Sequence, residues 1–206
     1  MSKLNLQATI DYYRDRTIEH GFNAKGMDWK DQASQALRFE VICRYIDFTN
    51  NPTVLDVGCG DGEFFAYCQK RNSKCRYRGI DLCQEMVDAC GKRFGNETAR
   101  NASINDMTTA FDYVIASGTY HVKATNSDDA WRQHFHASVR AMFATCKRAV
   151  VVNVMSWHVD YRYDRLYYAT PKEIGDLAQE LTHDFVIDHN YPLYEMTAAF
   201  LKSQST

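Results

Sequence analysis

The sequence lacks any marked excess of charge. Lysine and arginine together number 24 and aspartate and glutamate 26, which gives a formal net charge of −2 over 206 residues. The two signs are interspersed, so no basic stripe of the kind that binds DNA or RNA is present. Long apolar runs are also missing: none approaches the ~18 residues of a membrane-spanning helix, and residues 1–12 have no apolar signal-peptide core. We therefore expect a cytoplasmic protein with neither a nucleic-acid nor a membrane partner.

Patterns typical of metal sites and disulfide frameworks are absent too. The seven cysteines are odd in number, scattered and without a CxxC pair, which indicates reduced structural thiols. No HxxxH or Cys/His cluster occurs. His134 and His136 stand two positions apart on a predicted helix, so they lie on different faces, and we expect both to be exposed to solvent. We predict no metal.

No internal repeat or low-complexity linker divides the chain. Its length suits one well-buried domain and is short for two, and the apolar content of 45% supports an ordinary core. We therefore predict a single domain over residues 1–206.

What the sequence does contain is a glycine-rich corner. The segment Val54-Leu55-Asp56-Val57 is typical of a strand, and Gly58, Gly60 and Gly62 follow at alternate positions before an apolar run begins at Phe64. Glycine at this spacing lets the backbone turn sharply and approach a ligand with no Cβ in between. A strand that enters such a turn and continues into a helix N-terminus predicts a nucleotide-binding site.

A second acid supports this interpretation. Asp81 ends the next predicted strand, 21 residues after Gly60. A ribose-binding carboxylate lies roughly 20 residues beyond such a corner because one helix and one strand intervene. The glycine spacing is GxGxG, and Phe65 stands where the GxGxxG pattern of nicotinamide and flavin sites has its third glycine, which argues against a dehydrogenase.

Helical and extended patterns alternate along the chain. Strands are predicted over 53–58, 76–82, 101–105, 111–116, 148–155, 185–188 and 194–201, and helices over 5–20, 31–46, 62–71, 84–94, 127–146 and 171–181. Only a short turn around residues 191–193 joins the last two strands. Because so short a connection cannot make a parallel crossover, these strands must be antiparallel. The pattern predicts an α/β fold with a mostly parallel sheet and a C-terminal antiparallel hairpin.

Three segments, 54–62, 79–82 and 111–118, together resemble the successive signature strands of class I S-adenosylmethionine (SAM)-dependent methyltransferases. The terminal hairpin resembles the reversed seventh strand of that family, and the resemblance covers about residues 50–202. It implies a three-layer, Rossmann-like methyltransferase fold with a seven-stranded sheet. It also implies a SAM-binding core over residues 51–202 and a helical N-terminal cap over residues 1–50 that lies over the substrate.

The same resemblance implies SAM as the cofactor and S-adenosylhomocysteine (SAH) as its product, with the glycine corner around the methionine part. Asp56 would orient the glycine loop, Asp81 would accept hydrogen bonds from the ribose hydroxyls, and Leu82 would pack on the adenine. Either Asn105 or Asp106 would contact the adenine edge. The predicted cofactor-binding residues are Asp56, Gly58, Cys59, Gly60, Gly62, Asp81, Leu82, Asn105, Asp106, Ser117 and Arg38.

Catalytic candidates follow the fourth and fifth long strands, since ligands of open α/β sheets bind beyond the carboxyl ends of strands. His121 is the first candidate for a general base or a hydrogen-bond partner of the substrate, and the alternative is a surface histidine. Tyr120 adjoins it. His158 and Asp160 share a loop that is longer and more aromatic than a connection needs.

Candidate substrate contacts come from this loop and from the cap. Arg162 and Arg165 could hold a carboxylate or phosphate of the substrate, or could pair with neighbouring aspartates. Arg38 could pair with the methionine carboxylate, or could belong to the polar face of its own helix. Aromatic residues of both segments could face the sulfonium and exclude water, or could be packing residues. The predicted substrate-binding residues are Tyr13, Trp29, Trp157, Arg162 and Arg165.

The resemblance implies methyl transfer, and we predict that the acceptor is O or N of a small polar metabolite or biosynthetic intermediate. The alternatives are a nucleic-acid or protein methyltransferase and a catalytically silent SAM-binding subunit. The Asn/Asp-Pro-Pro-Tyr/Phe signature of enzymes that methylate amino groups of DNA and RNA is absent, because the chain reads Ser117-Gly118-Thr119-Tyr120 at that place. A silent subunit would bind SAM without forming SAH.

Overall fold

A computed structural model of the chain describes residues 4–23, 26, 28 and 31–203. Its helices pack on both faces of a central sheet. They are α1 (Leu6–His20), α2 (Gln32–Cys43), α3 (Glu63–Lys70), α4 (Gln84–Phe94), α5 (Asp128–Thr145) and α6 (Pro171–Leu181).

The strands form one sheet. They are β1 (Thr53–Val57), β2 (Arg76–Asp81), β3 (Ala99–Asn101), β4 (Phe111–Ala116), β5 (Cys146–Ser156), β6 (Tyr168–Ala169), β7 (Phe185–Asp188) and β8 (Glu195–Leu201). Their order is β3-β2-β1-β4-β5-β8-β7, with β6 beside β5. Neighbours from β3 to β5 run parallel, whereas β8 is antiparallel to both β5 and β7. The predicted mostly parallel sheet with a reversed C-terminal pair is confirmed.

The structure departs from the predicted elements in two strands, and α2 ends at Cys43 rather than at residue 46. β6 has only two residues, which is too short to produce a period-two pattern, so the sequence does not predict it. The predicted strand 101–105 lies earlier, at β3. Residues 104–106 instead form a 3₁₀ turn, because the Ser103 hydroxyl accepts from the backbone N–H of Asn105 and Asp106 Oδ2 accepts from that of Ser103.

Side chains start α2 and α6 where the sequence predicts. Asp31 Oδ1 accepts from the backbone N–H of Ser34 at 2.7 Å at the start of α2, and Thr170 Oγ1 accepts from that of Glu173 at 3.1 Å at the start of α6. The Glu173 carboxylate accepts from the Tyr167 hydroxyl and lies 3.0 Å from His136 Nε2. It therefore links the start of α6 to α5.

The two largest parts of the core lie on opposite faces of the sheet. The larger is built by α5 and α6 around residues such as Trp131 and Phe135, and the smaller by α2 and α3 around Ile42 and Phe64. β5 runs between them with residues 150–152 fully buried, as its unbroken apolar run predicts. Among the described residues, no helix combines the length and the apolar character needed to cross a membrane.

The sheet order places a crevice at one edge. From β1 the chain proceeds outward through β2 and β3, and then returns to place β4 on the other side of β1. In open α/β sheets ligands bind at such a reversal, beyond the carboxyl ends of the strands. The loops after β1, β2 and β4 meet at this crevice, and α1 and α2 lie against it.

Candidate functional site

A cavity of about 390 Å³ occupies the crevice. Its size is within the ~300–1,000 Å³ range of small-ligand sites. One wall is the glycine corner and the ends of β2 and β4, and the opposite wall is formed by α1, α2 and α5.

The charge of the wall is negative. Among the described residues that line it are four carboxyl side chains and no lysine or arginine; the carboxyls belong to Asp56, Asp61, Glu63 and Asp81. Arg93, which lies outside the wall, forms ion pairs with Asp61 and Glu63. The carboxyls left to face a ligand are therefore those of Asp56 and Asp81, and they are complementary to a cation.

The glycine corner has the backbone that the sequence predicts. Gly58, Gly60 and Gly62 all have positive φ, at 72°, 55° and 88°, and α3 begins directly after them. A Cβ on Gly58 would lie 2.4 Å from the side chain of Thr119, so glycine is required both by conformation and by space. The corner brings bare backbone and the first N–H groups of a helix to the cavity, which is an arrangement suited to a polar ligand.

Asp81 ties the second strand to this corner. One carboxylate oxygen accepts from the backbone N–H of Gly60 at 2.9 Å, and the other accepts from that of Cys83 at 2.9 Å. Burial raises the pKa of Asp81, and the backbone N–H groups of Cys83, Gly60 and Leu82 oppose the rise. Because a carboxylate has about four acceptor positions, these backbone donors do not fill it, and it can still accept from a hydroxyl of a ligand in the cavity.

Asp56 lies deeper in the same wall. The Tyr77 hydroxyl donates to its Oδ2 at 2.8 Å. Burial raises the pKa of Asp56 to about 7, Tyr77 acts to lower it, and the neighbouring charge of Asp81 adds to the rise. This carboxyl therefore exchanges its proton near neutral pH, and a cation in the cavity would favour its ionised form.

Replacing Asp56 by asparagine is expected to stabilise the protein in a pH-dependent way. The pKa is raised from 3.8 to about 7 in the folded protein, so the wild type loses stability as pH rises between these values. The asparagine would not titrate, and its amide oxygen would still accept from Tyr77. The advantage of Asp56→Asn in the free energy of unfolding should grow by about 2–4 kcal/mol over this interval and then stay constant. Thermal unfolding across pH measures it, and a pH-independent difference would refute the assignment.

Several other predicted cofactor residues line the cavity: Cys59, Leu82, Asn105 and Ser117. The Ser117 hydroxyl is buried and has no hydrogen-bond partner among the described residues. The two candidates for the adenine edge are separated by the structure. Asn105 lies on the wall, whereas Asp106 uses its carboxylate in the 3₁₀ turn and does not line the cavity.

Arg38 does not lie where the methionine carboxylate of a bound cofactor is expected. Its Nε is 2.6 Å from Glu195 Oε1, and both side chains are buried away from the cavity wall. The sequence predicts either a partner of the methionine carboxylate or a residue on the exposed polar face of its helix. Arg38 is neither, because it does not line the cavity and is buried.

His121 is also displaced from its predicted role. It is buried, is not among the residues that line the cavity, and its ring lies 3.7 Å from Glu195 Oε2. Burial, together with the charge of Arg38, lowers the pKa of His121 to about 3, so the ring is neutral at pH 7. A base this weak and outside the wall does not fit the predicted general base, and a surface histidine is excluded as well.

Tyr120 does line the cavity. Burial raises the pKa of its phenol to about 12, so it remains protonated at neutral pH and can donate a hydrogen bond but cannot act as a base there. Tyr13 lies on the cap side of the cavity, and burial raises its pKa as well.

The loop after β5 lies outside the cavity wall, and its predicted site residues have other partners. Trp157 is 46% exposed and carries the Arg162 guanidinium at 3.5 Å from its ring centre. Asp160 accepts from the Tyr194 hydroxyl at 2.6 Å.

The other two candidates of this loop do not line the cavity either. The His158 side chain is exposed, with its ring centre 6.5 Å from that of His189, and Arg165 contacts the Tyr12 hydroxyl at 3.2 Å and Asp28 at 3.6 Å. The alternative interpretation of the sequence pairs Arg165 with an aspartate of its own loop. Arg165 instead pairs with an aspartate of the cap segment. Trp29, the remaining candidate, lies outside the described residues.

Sequence reasoning missed part of the wall. Trp131, His134 and Ser138 line the cavity from one face of α5, at the spacing i, i+3, i+7 that a helix repeats. His134, predicted to be exposed, is therefore a wall residue whose pKa is lowered by burial, and His136 packs against Glu173 instead of facing solvent freely. The helical spacing of these residues in the sequence could have indicated that they share one face of α5.

The cap supplies another residue that sequence reasoning missed. Thr9 on α1 lines the cavity, and its hydroxyl is buried without a hydrogen-bond partner among the described residues. A buried hydroxyl without a partner is costly, so this position fits a ligand that supplies one. Within the described part of the chain, no group of three or more His, Cys, Asp or Glu side chains is arranged to hold a metal ion.

Comparison with known proteins identifies relatives by sequence. A family model described as "Methyltransferase domain" matches residues 54–150. A protein of Mycobacterium tuberculosis (strain ATCC 25618 / H37Rv), named "Putative methyltransferase Rv1506c", is 30% identical over 164 residues, which cover 78% of this chain and 99% of that protein.

Solved structures share the fold. The magnesium protoporphyrin IX methyltransferase ChlM of Synechocystis PCC 6803, with bound SAH, has a TM-score of 0.69 at 14% identity, and the match covers 97% of this chain and 100% of that one. The 1,6-didemethyltoxoflavin-N1-methyltransferase of Burkholderia thailandensis, solved with 1,6-didemethyltoxoflavin and SAH, has a TM-score of 0.66 at 19% identity, with coverage of 99% and 92%. From its sequence relatives and its fold, the chain belongs to the class I SAM-dependent methyltransferases.

Proposed function

We propose that this methyltransferase acts on O or N of a small polar metabolite or biosynthetic intermediate, as a single domain whose first 50 residues form a cap. The observation that carries the proposal is the position of the cavity under α1 and α2. A site covered by helices suits a small acceptor better than a polymer, which needs an open groove. The near-zero net charge of −2 also disfavours a nucleic-acid acceptor.

The residues of the cavity fit SAM. Its sulfonium and ammonium groups are cations, and the described wall offers carboxyls with no competing lysine or arginine. The corner at Gly58 leaves no room for a Cβ, and within the described structure the hydroxyls of Thr9 and Ser117 lack partners that polar groups of a ligand would supply. We assign Asp81 to the ribose hydroxyls, and the adenine to a place between Leu82 and Asn105.

When bound, SAM supplies an electrophilic methyl group on sulfur. The protein's part is to hold the acceptor and the methyl group in line and to exclude water, which is worth ~7–11 kcal/mol of barrier when the geometry is right. α1 contributes to this by covering the cavity with Leu6, Ile10 and Tyr13. Tyr120 stays protonated and is suited to donate a hydrogen bond rather than to remove a proton.

An uncharged or amine acceptor fits the site better than a phosphate or carboxylate. The two arginines predicted to hold a substrate anion, Arg162 and Arg165, lie outside the cavity wall, and Arg165 contacts Tyr12 and Asp28. The names of the structural neighbours support a small acceptor, since one is a magnesium protoporphyrin IX methyltransferase and another a 1,6-didemethyltoxoflavin-N1-methyltransferase.

The size of the acceptor can be tested without knowing its identity. Cell extract is separated into a low-molecular-mass fraction and a macromolecular fraction, each is incubated with SAM and the protein, and SAH formation is measured. We expect SAH only with the low-mass fraction and none with a variant that does not bind SAM. SAH formed only with the macromolecular fraction, and abolished by nuclease or protease, would contradict the proposal. So would intact SAM binding with no SAH from either fraction.

A further inference from the structure

A network of buried polar side chains connects the cap to the cofactor cavity. Arg38 on α2 contacts Glu195 Oε1 on β8 at 2.6 Å. Glu195 Oε2 accepts from Asn153 Nδ2 on β5 at 2.8 Å, and Asn153 Oδ1 accepts from the backbone N–H of Gly118 at 2.6 Å. Asn153 and Glu195 are at most 1% exposed, and Gly118 lines the cavity.

In each hydrogen bond of this network, chemistry determines which atom donates and which accepts. A guanidinium only donates, so the Glu195 oxygen beside Arg38 accepts. An ionised carboxylate only accepts, so the other Glu195 oxygen must face the NH₂ of Asn153. The Asn153 carbonyl oxygen is then left for Gly118, whose backbone N–H requires an acceptor. The orientation of the Asn153 amide is thus determined by Arg38 and Glu195.

Stability alone does not account for these groups. Burying an ion pair and an amide inside a sheet has a desolvation penalty that the attraction of the pair rarely exceeds, and apolar replacements of similar volume are often neutral or stabilising. The Glu195 pKa is raised by burial and lowered by Arg38, which is the sign of such a penalty. The network ends at the backbone N–H of Gly118, where φ is +74° and the backbone turns along the cavity wall.

We propose that Asn153 and Glu195 are positioning residues for the methyltransferase site. They hold the backbone at Gly118 in the conformation that binds the cofactor, and Arg38 makes this conformation depend on the seating of cap helix α2. The proposal rests on the SAM site of the proposed function but not on the identity or size of the acceptor.

The positioning role is tested by variants that reverse the hydrogen bond between Asn153 and Glu195. In Asn153→Asp, two carboxylates face each other at a pH where both are ionised, and the acceptor at Gly118 is then repelled from its place. A proton shared between them at lower pH would restore the hydrogen bond. In the double variant Asn153→Asp/Glu195→Gln, the NH₂ of the new glutamine donates to the new aspartate. The glutamine carbonyl oxygen accepts from Arg38, and the aspartate still accepts from Gly118. Every group again has a partner, with one hydrogen bond reversed.

SAH affinity measured by calorimetry at mildly alkaline pH is the readout, with thermal unfolding as the check on folding. We expect Asn153→Asp to weaken SAH binding by about tenfold or more, the effect of an unsatisfied buried polar group. The double variant should return to within about threefold of the wild type. Thr197→Val is the matched control: Thr197 is the cross-strand neighbour of Asn153 on β8, is fully buried, and is hydrogen-bonded at 2.9 Å to Tyr191 rather than to Gly118.

Wild-type SAH affinity in folded Asn153→Asp that persists as the pH is raised until both carboxyls are ionised would overturn the proposal. So would a folded double variant no better than a weakened Asn153→Asp, or an equal loss in Thr197→Val. If Asn153→Asp does not fold, the comparison of Glu195→Gln with the double variant decides. The proposal expects Glu195→Gln to bind SAH more weakly than the double variant, and equal affinity of the two would overturn it. If the wild-type protein itself does not bind SAH, the assigned SAM site is refuted instead.

Discussion

Gly58→Ala is expected to remove SAH binding and to lower the free energy of unfolding by about 2–4 kcal/mol. Gly58 has φ +72°, where a residue with a Cβ is strained. Its Cβ would lie 2.4 Å from Thr119 Cγ2 and 2.5 Å from Thr119 Oγ1. Thr119 cannot easily move away, because its hydroxyl donates to the Val57 carbonyl at 2.7 Å. The strain therefore falls on the corner that forms the cavity wall.

Calorimetric titration with SAH and thermal unfolding measure these two effects. Gly175→Ala is the control, since Gly175 lies in α6 without a positive φ, and no described atom outside its own helix turn lies within 4 Å of an added Cβ. It should leave SAH affinity unchanged and raise the free energy of unfolding by ~0.5–1 kcal/mol, as alanine does in a helix. Wild-type affinity and stability in Gly58→Ala would mean that the corner does not approach the ligand.

Asp81→Ala is expected to weaken SAH binding by about 10- to 150-fold, the equivalent of roughly 1.5–3 kcal/mol for hydrogen bonds to a charged group. The assigned ribose hydroxyls lose their acceptor. Gly60 and Cys83 lose theirs as well, so the corner is held less firmly in the shape that fits the ligand. The same calorimetric titration measures this, with circular dichroism to establish that the variant is folded.

Asp88→Ala controls for the change in charge. Asp88 lies on the exposed face of the following helix α4, where its carboxylate accepts from Gln84 at 2.7 Å, and it is outside the cavity. Its replacement removes the same charge and should leave SAH affinity unchanged. Equal affinities in Asp81→Ala and the wild type would show that the ribose is bound elsewhere.

The parts of the structure that could be predicted from sequence are those set by local spacing. The corner at residues 58–62 follows from glycines at alternate positions, and Asp81 follows from the length of one helix and one strand. The antiparallel pair β7–β8 follows from a connection too short for a crossover. Each of these depends on residues close together in the chain, so a single sequence contains the signal.

The residues that could not be placed depend on contacts between distant segments. Arg38 on α2 has the polar character of an exposed helix face, and only the packing of β8 against β5 brings Glu195 to it. The same packing buries His121 and lowers its pKa, so a histidine after β4 with the chemistry of a base becomes a neutral part of the core. Hydroxyls such as that of Thr9 are common on helices, and only the closed cap shows which one reaches the cavity.

The wild-type arm of the SAH titration tests the central claim, that this cavity binds the methyl donor and its product. The account predicts saturable binding of one SAH per chain, competed by SAM, and weakened in Asp81→Ala but not in Asp88→Ala. A folded wild-type protein that gives no heat of binding with SAH or SAM even at millimolar ligand would contradict it.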